Sequence, residues 1–254
     1  MEARSTDTAH RIPNAWQTGG ITYMQLNAAL YRNAALFFLT FFVLVVWAFW
    51  PSYYSHPLTL PSTTHEVHGL TMTAWCTILI VQAYLIRTNR RDLHRRIGKL
   101  SYVVAPMVVL TGAALAHRHL QAQAPLDRDA QAWGVITIIV LFSVIYGLAI
   151  YYRRSALIHG RLMVATVFPI VPPMSDRLFF RLFPTDHPFP APVDLISWGL
   201  FDVIVLGLAI WDWKSHRRVA VFSAVFVAMV LNHAGFVLVP KLPFWHTFAD
   251  WLAS

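Results

Sequence analysis

Long apolar stretches, each of a length suited to crossing a lipid bilayer, limit the fold of this sequence more than any other feature. A helix needs about 20 apolar residues to cross the hydrocarbon core of about 30 Å. Hydrophobic residues make up 57% of the 254 residues and charged residues only 13%, a composition that excludes an ordinary soluble domain. Seven stretches have the required character: residues 33–50, 64–86, 98–117, 132–152, 157–183, 194–213 and 219–239.

The stretches predict an all-α, polytopic integral membrane bundle of seven transmembrane helices, which forms one domain over residues 33–254. Residues 1–32 are polar and lack the basic-then-apolar order of a cleavable signal peptide. We therefore expect the first helix to stay in the membrane as a signal anchor. The fifth helix should be broken by prolines, because Pro169, Pro172 and Pro173 each remove a backbone donor from it.

Positive charge is divided unevenly between the two ends of the predicted helices. With helices of alternating direction, 15 of the 20 Lys and Arg residues lie on the side of the N-terminus and 5 on the other side. Short loops rich in Lys and Arg stay in the cytoplasm, so residues 1–32 are predicted to be cytoplasmic and the C-terminus to lie outside. The expected location is the bacterial inner membrane. The net charge of +8 then fits contact with anionic lipids, and we expect no nucleic-acid partner.

A short pattern, His-x-Arg-apolar, recurs where three predicted helices leave the cytoplasmic side. It occurs in the sequences LHRRIGKL, IHGRLMVA and SHRRVAVF, which contain His94, His159 and His216. The pattern has two interpretations. The residues either anchor helix ends at the interface, where they contact lipid phosphates and backbone groups, or they include a cytoplasmic ligand pair formed by His94 and His159.

A sharper signal lies at the outer end of the second helix. Steps of three and four residues from His65 lead to His68 and Met72, on a stripe that carries most of the polar groups of this helix. Such a stripe should face the inside of the bundle. At a rise of about 1.5 Å per residue, several ionisable groups of other helices reach a similar depth in the outer half: His117, Asp202 and His233. Asp176 and Arg177 are expected at the outer level too.

These side chains suit either a transition metal ion or haem b. For Zn, Fe or Cu the predicted ligands are His65, His68 and His233, and Asp202 is either the fourth ligand or the acceptor that orients an imidazole. For haem the predicted axial pair is His68 with His117, and Met72 offers a soft donor. Structural interpretations stay open. Asp202 and His233 can form a pair that ties the sixth helix to the seventh, and His65 and His68 can be hydrated at the interface.

Three resemblances accompany these motifs. LHRRIGKL and HGRLM resemble motifs of uncharacterised bacterial polytopic membrane proteins over about residues 64–180, a resemblance that implies no reaction. The histidines at helix ends are similar to those of cytochrome b561-type membrane cytochromes, which implies haem, although the fourth helix here contains no histidine. The seven-helix plan is similar to that of the progestin and adipoQ receptor family of zinc hydrolases, but only His233 stands where that family has HxxxH.

Two classes of function follow from the sequence. The favoured one is a membrane protein with a His-rich site in the outer half of the bundle, which binds a transition metal or haem for redox or metal-assisted chemistry. The alternative is a non-catalytic protein, either a transporter that uses the broken fifth helix or an accessory subunit that packs on another membrane protein or on a second copy. The sequence contains no Walker-type loop, HExxH, GxSxG or CxxC motif, which argues against the corresponding enzyme classes.

Overall fold

A computed structural model describes residues 33–56, 62–182, 192–214 and 219–254. Every regular element in these ranges is helical, which confirms the all-α prediction. The helices are α1 (Asn33–Ala48), α2 (Thr63–Arg87), α3 (Arg91–Gly98), α4 (Ser101–Gln121), α5 (Pro125–Tyr151), α6 (Ala156–Ala165), α7 (Val171–Leu182), α8 (Pro192–Lys214), α9 (Val221–Leu238) and α10 (Pro243–Ala253). Short π or 3-10 turns occupy Trp50–Tyr54, Phe168–Ile170 and Val239–Lys241.

Five helical stretches are long and apolar enough to cross a membrane, and they identify a multi-pass membrane protein. They are Thr63–Arg87, Arg91–Gln121, Asp127–Tyr151, Ala156–Leu182 and Val221–Lys241, and each corresponds to one predicted span. Of the other two predicted spans, α1 is a shorter apolar helix and α8 is a helix of 23 residues, several of whose side chains are not described. The count of seven and the N-inside orientation therefore stay predictions. The polar segment 1–32 lies outside the described residues.

The span Ala156–Leu182 forms the centre of the packing. In its most apolar window 61% of the residues are buried inside the protein, against 17–33% in the other four spans. Met174 of α7 is fully buried, as are Trp75 of α2 and Val205 of α8. Around this span α2 packs on α4, α5 contacts α4, α6 and α9, and α8 contacts α7 and α9.

The same central span changes its helix type near its middle. α6 ends at Ala165, the 3-10 turn follows, and α7 begins at Val171. Pro169 lies in the turn, while Pro172 and Pro173 lie in the first turn of α7, where the missing N–H groups of prolines cost least. The interruption is thus a feature of the structure, and the assignment of its cause to the prolines stays a prediction.

Two short helices extend beyond the predicted stretches. α3 begins at Arg91 because Asn89, with a φ of 58°, turns the chain after α2, a conformation that asparagine tolerates. α10 is amphipathic: Trp245 and Ala249 are buried against the bundle, whereas Trp251 is exposed. The C-terminal helix therefore lies across the ends of α4 and α5, which it contacts.

Candidate functional site

Asp202 of α8 and His233 of α9, both singled out from the sequence, lie next to each other. The Nδ1 atom of His233 is 2.7 Å from Oδ2 of Asp202, and the two side chains are 10% and 14% exposed. A carboxylate oxygen only accepts hydrogen bonds, so the hydrogen of this contact belongs to Nδ1. We call Asp202 and His233 the outer pair.

Each member of the outer pair keeps one polar atom without a partner. Nε2 of His233 and Oδ1 of Asp202 are both buried, and neither makes a hydrogen bond within the part of the chain that the structure describes. Buried polar atoms are normally satisfied, so these two atoms are unusual. In the neutral imidazole the proton is held on Nδ1, which leaves the lone pair on Nε2 available to a ligand.

An aromatic wall closes one side of the outer pair. The indole ring of Trp198 stacks on the ring of His233, with 5.2 Å between centroids and 29° between planes. Its Nε1 atom donates to Oδ1 of Asp176, at 2.8 Å, and Phe236 packs edge-on against it. Residues of α7, α8 and α9 thus meet here, and Trp198 contacts both Asp176 and His233.

Asn232, which the sequence analysis did not single out, fixes the rotation of α9. Its Oδ1 atom accepts from Oγ1 of Thr137 at 2.5 Å, and its backbone carbonyl accepts from Nε1 of Trp133 at 2.9 Å. Gly235 lets the Trp133 ring lie against the α9 backbone, in the space that a Cβ atom would need. With Asn232 turned toward α5, the neighbouring His233 faces α8. In the sequence LNHAG, the adjacent polar residues Asn232 and His233 could have indicated that two sides of α9 make polar contacts.

The predicted ligands on α2 have a different neighbour. Nδ1 of His68 lies 3.1 Å from Oγ1 of Thr111 on α4. Thr111 donates its own hydrogen to the carbonyl of Met107, at 2.6 Å, so it accepts the hydrogen of His68. His65 is exposed, and Met72 is partly buried against the hydrophobic core. His68 thus binds α2 to α4, which is the main packing partner of α2.

His117, the other half of the predicted haem pair, contacts the C-terminal helix. Its Nδ1 atom lies 2.7 Å from the carbonyl oxygen of Leu252, and its Nε2 atom lies 3.2 Å from Nε2 of Gln121. A Cβ atom on Gly112 would come within 3.4 Å of the His68 ring, so α2 and α4 touch where His68 lies. His68 and His117 thus have different partners, and their role as an axial pair stays a prediction.

The predicted metal ligands are therefore distributed over two places, with His65 and His68 on α2 and the outer pair between α8 and α9. Within residues 33–56, 62–182, 192–214 and 219–254, no three His, Cys, Asp or Glu side chains group closely enough to hold a metal ion. A metal at His233 would need ligands beyond the side chains that surround it in the structure. The metal site stays a prediction.

Two histidines, His94 and His159, lie close together at the end of the bundle opposite to the outer pair. The rings of His94 and His159 are 6.5 Å apart between centroids and meet edge to face. Nδ1 of His159 donates to the carbonyl of Ala149 at 2.8 Å. With its amide oriented so that the oxygen accepts from the N–H of Gly98, Gln82 donates to Nδ1 of His94. The structure thus places close together the two histidines that the sequence offered as a pair. His216 lies outside the described residues.

A buried ion pair between α6 and α8 escaped the sequence analysis. Nε of Arg161 lies 2.8 Å from both carboxylate oxygens of Asp212, and Nη2 lies 2.6 Å from Oδ1. The side chains are 5% and 3% exposed. Arg161 belongs to the sequence IHGRLMVA, for which one interpretation is contact with lipid phosphates at the interface, whereas in the structure its side chain is buried inside the protein. In the sequence, the single aspartate of the stretch AIWDWK could have indicated this ion pair. We call Arg161 and Asp212 the inner pair.

Comparisons of the chain with protein-family models, with curated proteins and with solved structures find no match. The class that the fold and site define is a multi-pass membrane protein, helical throughout its described residues, in which α8 contributes an aspartate to the outer pair and to the inner pair. The resemblances noted for LHRRIGKL, HGRLM and the histidines at helix ends stay predictions.

Proposed function

We propose that this protein binds a transition metal ion or haem b through Nε2 of His233, for redox or metal-assisted chemistry in the bacterial inner membrane. One observation carries the proposal: the outer pair holds the proton on Nδ1, and Nε2 is buried without a hydrogen-bond partner among the described residues. Histidines that bind metals usually donate their other N–H to a carboxylate or a carbonyl, which orients the ring and raises its basicity.

In this proposal Asp202 orients the imidazole and is not itself a ligand. Trp198 restricts the ring to one plane by stacking on it, and the burial of the site keeps bulk water from competing. His233 would hold the group through Nε2, and a bound haem iron or metal ion would supply redox or Lewis-acid chemistry there. His65 and His68, which the sequence predicts as further ligands, lie on α2 apart from the outer pair, so the proposal concerns His233 alone.

The proposal is tested on protein purified in detergent without chelators, by elemental analysis and a visible spectrum. We expect stoichiometric metal or a Soret band in the wild type and its loss in His233→Gln. His246→Gln is the matched control, because His246 also contacts an aspartate but lies on α10. Wild-type protein with neither metal nor Soret band, or a signal equally reduced in both variants, would contradict the proposal.

A second candidate is a non-catalytic transporter, and the interrupted central span favours it. Free backbone carbonyls at membrane depth are tolerated only against protein or a water-filled cavity, and here the interruption lies in the most buried span. A cofactor-free wild-type protein whose accessibility to thiol reagents, at cysteines placed along α6 and α7, changes with an added solute would support this candidate instead.

A further inference from the structure

An open cavity of about 330 Å³ lies where α7 approaches the turn that follows α1. The cavity is lined by two arginines from one face of α7 and by small or apolar residues from the end of α1 and the turn after it. Its lining consists of Ala48, Pro51, Ser52, Arg177, Phe180 and Arg181. Because Arg177 and Arg181 are four residues apart on α7, they are neighbours on the helix surface.

Backbone and ring contacts hold both guanidinium groups at this cavity. Arg177 donates from Nη1 to the carbonyl of Pro173, at 2.7 Å, and its Cζ atom lies 4.4 Å from the centre of the Phe49 ring. Arg181 donates from Nη1 to the carbonyl of Trp47, at 3.0 Å. A guanidinium group has five N–H donors. The contacts therefore position the two groups and leave further donors for a ligand.

The local charge balance is positive. Among the described residues, the ion pairs join other cations to carboxylates and include neither Arg177 nor Arg181. Asp176 attracts Arg177 electrostatically, but its Oδ1 atom also accepts from Trp198. Among the described residues, two cations thus face one nearby carboxylate, and an added anion would bring this balance closer to neutrality.

The surroundings of the cavity match a membrane surface. α1 and the central span both end here, so the cavity lies at the level where these two helices leave the bundle. The aromatic side chains of Trp47, Trp50 and Phe180 are 41%, 49% and 48% exposed, as in the aromatic belts that mark the interface between lipid and water. Phosphate groups of lipids lie at this level.

We propose that Arg177 and Arg181 bind a phosphate group in this cavity, carried by an anionic phospholipid or free in solution. Guanidinium groups present paired donors that match phosphate oxygens, and such charge-assisted hydrogen bonds are stronger than neutral ones. This site is separate from the outer pair and does not depend on the proposed metal or haem.

The test follows the thermal midpoint of the full chain, purified in a maltoside detergent, during titration with dihexanoyl phosphatidylglycerol. We expect a saturable rise in the wild type and no rise with dihexanoylglycerol, which lacks the phosphate. In Arg177→Gln/Arg181→Gln the apparent affinity should fall about tenfold or more, because two charge-assisted contacts are lost. Lys241→Gln removes a cation elsewhere and should leave the affinity unchanged.

Two further arms make the result decisive. Inorganic phosphate that gives the same saturable rise identifies free phosphate as the source, whereas a rise with the lipid alone identifies a headgroup. Ser52→Trp keeps both arginines and fills the cavity, so it should also abolish the rise, even if the double variant does not fold. An unchanged response in Ser52→Trp, or no saturable rise of the wild type with either probe, would overturn the proposal.

Discussion

Two acidic residues of helix α8, the buried Asp212 and the largely buried Asp202, are used differently by their partners. In the inner pair, Nε and Nη2 of Arg161 contact both oxygens of Asp212, and a further donor, Nη1, lies 3.3 Å from the carbonyl of Leu157. In the outer pair, one nitrogen of His233 meets one oxygen of Asp202. The other nitrogen and the other oxygen have no partner among the described residues.

The difference separates a structural role from a proposed functional one. A buried ion pair whose donors and acceptors are used by the fold has little capacity left for a ligand, and breaking it is costly. A buried pair with an unused lone pair gains from a ligand, because the ligand satisfies an atom that is otherwise left unpaired in a low-dielectric environment. The inner pair should therefore respond to substitution through stability, and the outer pair through binding.

The largest expected effect is on stability. Arg161→Leu should lower the free energy of unfolding by about 3 to 5 kcal/mol, because it removes the guanidinium group that contacts both oxygens of the buried Asp212. The measurement is denaturation in detergent, monitored by circular dichroism. Arg161→Leu/Asp212→Leu should recover much of the loss. A single variant as stable as the wild type would mean that the inner pair does not stabilise the fold.

The next largest effect is expected on the binding of a metal or haem at the outer pair. His233→Gln should remove most of the bound metal or haem, and Asp202→Asn should weaken its affinity by about 10- to 100-fold, since the imidazole loses the carboxylate that orients it. Titration of protein stripped with a chelator measures both. An Asp202→Asn variant with wild-type affinity would leave the outer pair with a structural role only.

A smaller effect is expected at His68, which has a hydroxyl partner instead of a carboxylate. His68→Ala should destabilise the packing of α2 on α4 by about 1 kcal/mol through the lost hydrogen bond to Thr111, whereas His65→Ala, at an exposed position, should change stability little. Thermal midpoints of the two variants provide the comparison. Loss of metal in His68→Ala would place this histidine among the ligands, as the sequence predicts.

The smallest effect concerns a second His–Asp contact, in which His246 of α10 is 51% exposed. The hydrogen bond that Nδ1 of His246 donates to Oδ2 of Asp129, at 2.9 Å, and the charges of Asp129 and Asp250 raise the pKa of His246 above its ordinary value of 6.5, although Arg128 opposes the rise. A raised pKa means that the protonated form stabilises the docked helix. This contribution is complete below pH 6.5 and is lost as the pH rises through the folded pKa.

Hydrogen exchange of α10 amides, measured over that pH range, tests this prediction. Exchange should become faster relative to α5 as the pH increases, after correction for the intrinsic rate. In His246→Gln the ratio should no longer depend on pH. A pH-dependent ratio that persists in this variant would assign the effect to another group.

The helical membrane fold could be predicted from the sequence, because a membrane-spanning helix needs about 20 apolar residues whatever its neighbours are. The pairing of Asp202 with His233 was accessible for a similar reason: ionisable residues in apolar helices rarely stand alone. Rotation about helix axes was not accessible. It decides that His68 meets Thr111 and that His117 meets Leu252, and it depends on side-chain packing between helices far apart in the sequence.

The inner pair also sets an order of events during synthesis. Arg161 precedes its partner Asp212 by 51 residues, and its span has the lowest hydropathy of the five, 1.3. An arginine costs up to about 2.5 to 3.5 kcal/mol when a helix enters the bilayer alone. A nascent chain that ends before α8 therefore lacks the carboxylate that Arg161 contacts in the complete protein. The ion pair between α6 and α8 can form only after α8 has been made, so we expect chains truncated before α8 to be less stable in the membrane than the full chain.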